Sequence, residues 1–274
     1  MTISAVLAVG YDGSEQSLLA LKWAADYATA ARTGLRIIHA WIWPLFTQDV
    51  GPVKGVADSG LRHAAEVILD EGCKLAAEIS PNLKVEPRMV AGLPAAVLRQ
   101  ESLDASLLVV GSRGLGGLLG KLVGSVSLDL AGGSPCPLVV VRSRRGEGQP
   151  VVACVDGHLR SSKVLEQSVR AARALDTGLQ IVHAEQPEPP WKAHTAPTAH
   201  SKAVLHNAML WVQAMDPDLA ATEQLLSRQP VSAALIDAGA DAELLVLGAH
   251  GRQGHPGTLT SVLTQARCNI LIAR

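Results

Sequence analysis

The feature that most constrains this chain of 274 residues is that it repeats itself. Ala5-Val-Leu-Ala-Val-Gly-Tyr-Asp12-Gly13-Ser14 returns as Val151-Val-Ala-Cys-Val-Asp156-Gly157-His158. Leu35-Arg-Ile-Ile-His39-Ala40 returns as Leu179-Gln-Ile-Val-His183-Ala184. Both blocks are offset by 144 residues (156 − 12 and 183 − 39). Asp104-Ala-Ser-Leu-Leu-Val-Val-Gly111-Ser-Arg-Gly114 then matches Asp241-Ala-Glu-Leu-Leu-Val-Leu-Gly248-Ala-His-Gly251 at an offset of 137, so the second copy is seven residues shorter between the blocks. Gly, Pro and charge cluster in Arg142–Pro150, which is linker chemistry. Two domains are therefore expected, 1–144 and 150–274, meeting near residue 147.

Each copy alternates continuous β-branched runs, such as Leu107–Gly111 and Leu138–Arg142, with helical periodicity. Strands of that kind belong to parallel sheets buried on both faces. Five strands and four helices per copy predict an α/β fold of two tandem, doubly wound, Rossmann-like domains, each with a five-stranded parallel sheet. Helices are expected over Ser14–Ala31, Asp58–Ile79 and Pro94–Glu101, and 44–57, rich in Gly and Pro, is expected to be a mobile loop. Aromatic residues supply only 3% of the chain, so Ala, Val, Leu and Ile must build the core.

The formal charge of −1 leaves no basic field for a nucleic acid. Arg142, Arg144 and Arg145 read as a solvated hinge. Four scattered cysteines, Cys73, Cys136, Cys154 and Cys268, read as buried, reduced thiols rather than zinc ligands or a redox pair. The apolar run at the N-terminus is too short and lacks a basic flank, so it reads as a strand and not a signal peptide. No apolar stretch nears the roughly 20 residues of a membrane span, and the expected location is the cytoplasm.

Ligands of a doubly wound sheet bind at the carboxyl ends of the strands, where the strand order reverses. Gly10-Tyr-Asp12-Gly-Ser14 and Gly111-Ser-Arg113-Gly114 end two such strands, and Gly124-Ser125 opens the helix that follows. Glycine lets main chain approach a phosphate without a Cβ, and amides at a helix start face the anion from the favourable end of the dipole. Ser125 adds a hydroxyl and Arg113 a charge. A Walker loop fails at Leu115 and Leu122, and a dinucleotide fingerprint fails at Leu119.

On these residues both halves resemble universal stress protein domains, and the first holds that family's ATP motif, G-x2-G-x9-G-(S/T), without a substitution. The resemblance implies ATP as ligand, with Mg2+ bound through its phosphates. It implies Asp12 near ribose and adenine, with the Gly10 and Ala40 backbone shaping the base pocket. Val110, Gly111 and Gly114 would line the phosphate path, and Gly124, Ser125 and Val126 would hold the β- and γ-phosphates. In the second half the late Gly-Ser is read as Ser261-Val262 or Thr260-Ser261, His158 replaces Ser14, and the last helix looks a turn short. The second site is expected to be weak or empty.

Other residues carry plainer expectations. Asp12 and Asp156 can cap the helices they precede, and Asp104 and Asp241 suit turn or cap chemistry. His39 and His183 read as structural histidines, and His194, His200 and His206 are poorly spaced for a metal. Trp41 and Trp43 either line the first pocket or pack their loop. The leading function is a regulatory ATP binder that orders loops 44–57 and 112–123 and presents a surface to a protein partner, with no obvious general base. A weak ATPase or nucleotidyl-transferring enzyme and an empty interaction scaffold stand beside it. The apolar last strands suit an intramolecular pseudo-dimer, with a homodimer formed by another surface.

Overall fold

The computed structural model describes residues 6–41, 60–114, 123–143, 148–185, 199–249 and 256–274. Expectations for loop 44–57, most of loop 112–123, Trp43, Arg144, Arg145, His194 and Gly251 lie outside them. The chain divides into two compact units, Met1–Arg142 and Ser143–Arg274.

In the first unit, strands β1 (Val6–Gly10), β2 (Gly34–Trp41), β3 (Val85–Ala91), β4 (Ala105–Gly111) and β5 (Leu138–Val141) alternate with helices α1 (Glu15–Ala30), α2 (Gly60–Ile79), α3 (Pro94–Glu101) and α4 (Ser125–Gly133). The strand order is β3-β2-β1-β4-β5, with every pairing parallel. The second unit runs β6 (Val151–Val155), α5 (Ser161–Leu175), β7 (Leu179–Ala184), α6 (Ala199–Met215), β8 (Ala221–Leu226), α7 (Val231–Ala238), β9 (Leu244–Gly248), α8 (Pro256–Gln265) and β10 (Asn269–Ala273). Its order, β8-β7-β6-β9-β10, is the same, again parallel throughout. Each unit is the expected α/β domain. The order reverses between β1 and β4, and between β6 and β9, which fixes where a ligand site can open.

The core follows from the strand residues. Leu7, Leu35, Ile37, Ile38, Leu108 and Leu138 are fully buried in the first unit, as are Leu179, Ile181, Leu244 and Leu245 in the second. Helix α1 meets the sheet through Ala20, Leu21, Ala24, Ala25 and Ala28, mostly small side chains that bring its axis close. Helix α1 packs on α2, and α3 on α4, the arrangement that right-handed crossovers give to a sheet with helices on both faces. The outer strands β3 and β8 are the exposed ones, and β3 carries Pro87, which has no N–H for a further strand. Ser14 caps α1 instead of opening it, accepting from the Ser17 N–H at 3.2 Å.

One expectation changes and another is extended. All four cysteines are free, but Cys73 and Cys154 are only partly covered, whereas Cys136 and Cys268 are buried. Desolvation still pushes the Cys73 and Cys154 thiols upward, away from the reactive thiolate. Asp104 lies in the turn before β4, as expected, and is in addition an ion-pair partner. Arg36, 7% exposed on β2, donates through Nη1 and Nη2 to both Asp104 oxygens (2.6 and 3.1 Å), through Nε to Glu86 (3.2 Å), and to the Glu101 carbonyl (2.7 Å). The second unit has neutral Gln180 in place of Arg36, and it donates to Gln224 at 2.8 Å.

The Arg36 hydrogen bond holds the Asp104 carboxyl below the usual range. A carboxyl depressed in the folded state stabilises fully above its unfolded value, about 3.9, and the contribution is lost as pH falls through the folded value. Asp104→Asn should cost about 1 kcal/mol near pH 7, a modest figure because Asp104 itself is largely exposed while Arg36 is not. Denaturant titrations of wild type and variant should converge as pH falls through the depressed folded value; a pH-independent gap would contradict the pairing.

Candidate functional site

The site is built at the carboxyl ends of β1 and β4, on either side of the strand-order reversal. Chain leaving β1 turns at once. Gly13 adopts φ +79°, a left-handed conformation that glycine enters at no steric cost. The Ser14 N–H donates to Asp12 Oδ1 (3.1 Å), the Asp12 N–H donates to Ser17 Oγ (3.2 Å), and Ser17 Oγ donates to the Ser14 carbonyl (2.9 Å). Asp12 therefore does serve the helix start, through one carboxylate oxygen. The second unit repeats the device: Gly157 has φ +80°, His158 N–H donates to Asp156 Oδ1 (3.0 Å), and Asp156 N–H donates to Ser161 Oγ (3.2 Å).

Three glycines of the motif differ in what excludes a side chain. At Gly111 a Cβ would stand 2.6 Å from the Gln16 carbonyl oxygen and 3.0 Å from the Ser17 nitrogen, so β4 rests directly on the main chain of α1. At Gly114 it would stand 2.5 Å from Asp12 Oδ2, which brings the β1 and β4 turns together. At Gly124 the nearest atoms, Arg113 Cα and the Ser112 oxygen, are both 3.5 Å away, which is ordinary contact. Gly10 has only the flexible Leu98 methyls at 3.1 Å and Val110 at 3.6 Å. The fold therefore demands glycine at 111, where a side chain would meet main chain; at 114 the Asp12 carboxylate would have to give, and at 124 there is room for a Cβ.

Helix α4 closes the site. Its N-cap is Gly124, in extended conformation (φ −79°, ψ 161°), which offers no side-chain acceptor, and its first turn holds no acidic residue. The opening amides of Ser125 and Val126 lie beyond reach of an intrahelical carbonyl and carry the positive end of the dipole. Ser125 is exposed and Val126 half-buried, while Val110 and Gly111 are buried and Arg113 and Gly114 exposed. Ala40, half-buried, lies two residues beyond Ile38, the register partner of Gly10, on the same edge of the sheet. Nine of the ten predicted site residues thus cluster around the β1–β4 junction and the start of α4, with Ala40 one strand away.

Sequence reasoning missed three side chains here. The buried Ser112 joins β5, α4 and α1: its N–H donates to the Val141 carbonyl (2.8 Å), its carbonyl accepts from the Gly124 N–H (2.7 Å), and its Oγ donates to Gln16 Oε1 (2.9 Å). The buried Ser127, in the first turn of α4, donates to the Gly111 carbonyl at 2.8 Å. A hydroxyl on an otherwise apolar buried face was the available signal. His39 is structural, as expected: its Nδ1 bonds the Tyr11 carbonyl at 2.8 Å, as His183 Nδ1 bonds that of Val155 at 2.8 Å. A carbonyl only accepts, so each Nδ1 carries the proton. The ring of Tyr11 packs on Gly72, and burial, with the Glu71 and Asp12 charges, raises its phenol above 10.0, keeping it neutral. His200 and His206 lie exposed on α6, and no group of three or more candidate ligands is placed for a metal among the described residues.

The second unit departs from its expected register. Helix α8 opens at Pro256 and runs ten residues, against nine for α4, so it is not a turn short. Proline is favoured at the first helical position because no intrahelical bond is lost there. Buried Leu130, Ala131, Ser134 and Cys136 match buried Val262, Leu263, Ala266 and Cys268, an offset of 132 (268 − 136). Gly124-Ser125 therefore corresponds to Pro256-Gly257, not to Thr260-Ser261 or Ser261-Val262, and a glycine does remain, one position late. The shortening lies in the β9–α8 connection, and Pro256 removes an amide donor from the helix start.

Comparison with known proteins agrees with this architecture. The model of the universal stress protein family matches residues 6–142 and again 148–274. Universal stress protein Rv2005c of Mycobacterium tuberculosis is 28% identical over 283 residues, covering 97% of this chain and 96% of its own. Universal stress protein Rv2623 of the same species is 38% identical over 134 residues, 49% of this chain and 44% of its own. A universal stress protein from Archaeoglobus fulgidus shares the fold with a TM-score of 0.73 at 17% identity, over 99% of both chains. Matched by the family model across both units, the chain belongs to the universal stress protein family.

Proposed function

We propose that the chain is an ATP-binding regulator of a stress response, with one nucleotide held by the first unit and Mg2+ carried on its phosphates. The observation that carries the reading is Gly124. It is a position where the fold has room for a side chain and none is present, at the start of a helix whose first amides lack a capping side chain. A phosphate is the complement of that arrangement. In this reading Gly124, Ser125 and Val126 hold the terminal phosphates, and Val110, Gly111 and Gly114 line the path to them, with Arg113 adding charge from the rim. Gly10 and Ala40 shape the base pocket, and Asp12 meets the ribose and adenine.

Asp12 is committed to its turn through Oδ1, which suits binding rather than proton transfer to an attacking water. Nucleotide then acts by altering the surface offered to a protein partner, in the cytoplasm, with a homodimer formed through another surface. No described helix is long and apolar enough to cross a membrane.

Calorimetric titration with Mg-ATP should give one site per chain. Gly124→Ser should weaken it by roughly tenfold or more, because a serine cap turns its own oxygen toward the amides a phosphate would take. The same change should leave unfolding within about 0.5 kcal/mol of wild type, or slightly higher. Two equal sites per chain, or undiminished binding by the variant, would overturn the reading. Gly111→Ala is the contrasting case: its Cβ meets main chain, so it should destabilise the first unit by about 2–3 kcal/mol with or without nucleotide, read by denaturant unfolding.

A further inference from the structure

We infer that Gln16, Ser112 and Ser127 form a polar clasp that sets the phosphate half of the first unit's cradle, making them positioning residues for nucleotide binding; this rests on the nucleotide reading above. None is among the motif's glycines or the residues assigned to the nucleotide above. Together they tie the motif's pieces to one another. Ser127 Oγ donates to the Gly111 carbonyl (2.8 Å), fastening the first turn of α4 to the end of β4. Ser112 Oγ donates to Gln16 Oε1 (2.9 Å), fastening the turn after β4 to the first turn of α1. The Ser112 carbonyl receives the Gly124 N–H (2.7 Å), so the two ends of the 112–124 connection meet at the clasp.

Burial of Ser112 and Ser127, 4% and 3% exposed, makes these bonds directional and shielded from water. A hydroxyl bonded to a fixed carbonyl sets both the height and the rotation of α4, and with them the aim of the Ser125 and Val126 amides. An apolar side chain fills the same space without choosing a rotation.

The second unit separates this task from folding. At the matched positions it carries Arg160, Ala249 and Leu259, and it still forms the same strand order and a helix of the same kind. Ala249 and Leu259 have no hydroxyl, so neither bond of the clasp can be made there. The clasp is thus dispensable for the fold. It is present in the unit whose helix opens on Gly124 and absent from the unit whose helix opens on Pro256.

The test compares ATP with adenosine, which lacks the phosphates, on the full-length protein. Ser127→Ala should bind Mg-ATP about five- to tenfold more weakly while adenosine binding stays within about twofold, and Ser127→Thr should restore ATP. Without any ligand, hydrogen exchange of the Leu128 amide, bonded to the Gly124 carbonyl at 3.2 Å, should quicken in Ser127→Ala and not in Ser127→Thr. Ser112→Ala should reproduce the ATP loss. Equal ATP affinity in wild type and both alanine variants would overturn the clasp alone. A parallel loss of adenosine would also overturn it, since that marks general damage. Wild type that binds neither ligand would overturn the nucleotide reading and the clasp with it.

Discussion

Everything at the ligand end of the first unit depends on one close approach, the main chain of β4 lying on the main chain of α1. With Gly111 against Gln16 and Ser17, the two strands that flank the order reversal are locked to the helix that leaves the first of them. No side chain can be inserted there without moving backbone, and backbone in a packed parallel sheet does not move cheaply. That contact places the Gly111–Gly114 turn beside the Asp12 turn, and Ser112 and Ser127 then hang α4 from the same point. The site is therefore a consequence of how the sheet is closed, not a loop added to a finished scaffold.

The opposite end of the sheet uses different physics. Arg36 is buried and must have its charge answered, and Asp104, Glu86 and the Glu101 carbonyl answer it from three neighbouring segments. The second unit has neutral Gln180 where the first has Arg36, so no buried charge has to be answered there, and the amide bonds Gln224. The two units share a strand order and a core but not an electrostatic solution. The first is accordingly the one whose stability responds to acid through this contact.

Much of this was legible in the sequence because the chain carries two versions of one pattern. The first two strand runs, the Asp–Gly turns and the paired histidines share an offset of 144, and the later strand runs recur at shorter ones. Short-range chemistry dictates each of them. The α3 bounds and the β10 bounds follow from Pro94 and from an unbroken apolar run. What could not be read depended on residues far apart in the chain. Arg36 and Asp104 are 68 positions apart, and nothing local marks them as partners. Ser112 and Gln16 are 96 apart. The start of α8 was misplaced for a different reason: identity around Ser261 outweighed the simpler signal of a proline at a helix start. Aligning by burial instead of by letter recovers the register.

That register turns the second unit into an internal control on the meaning of each glycine. Gly13 and Gly111 recur as Gly157 and Gly248, and both are places where geometry forbids a side chain in the first unit: a left-handed turn and a backbone crossing. Gly124 does not recur; a proline stands in its place. Duplication thus sorts the glycines into those a folded domain cannot do without and one it can exchange. A designer wishing to move ligand recognition between the two copies would leave the first group alone and rebuild the connection that ends at Pro256.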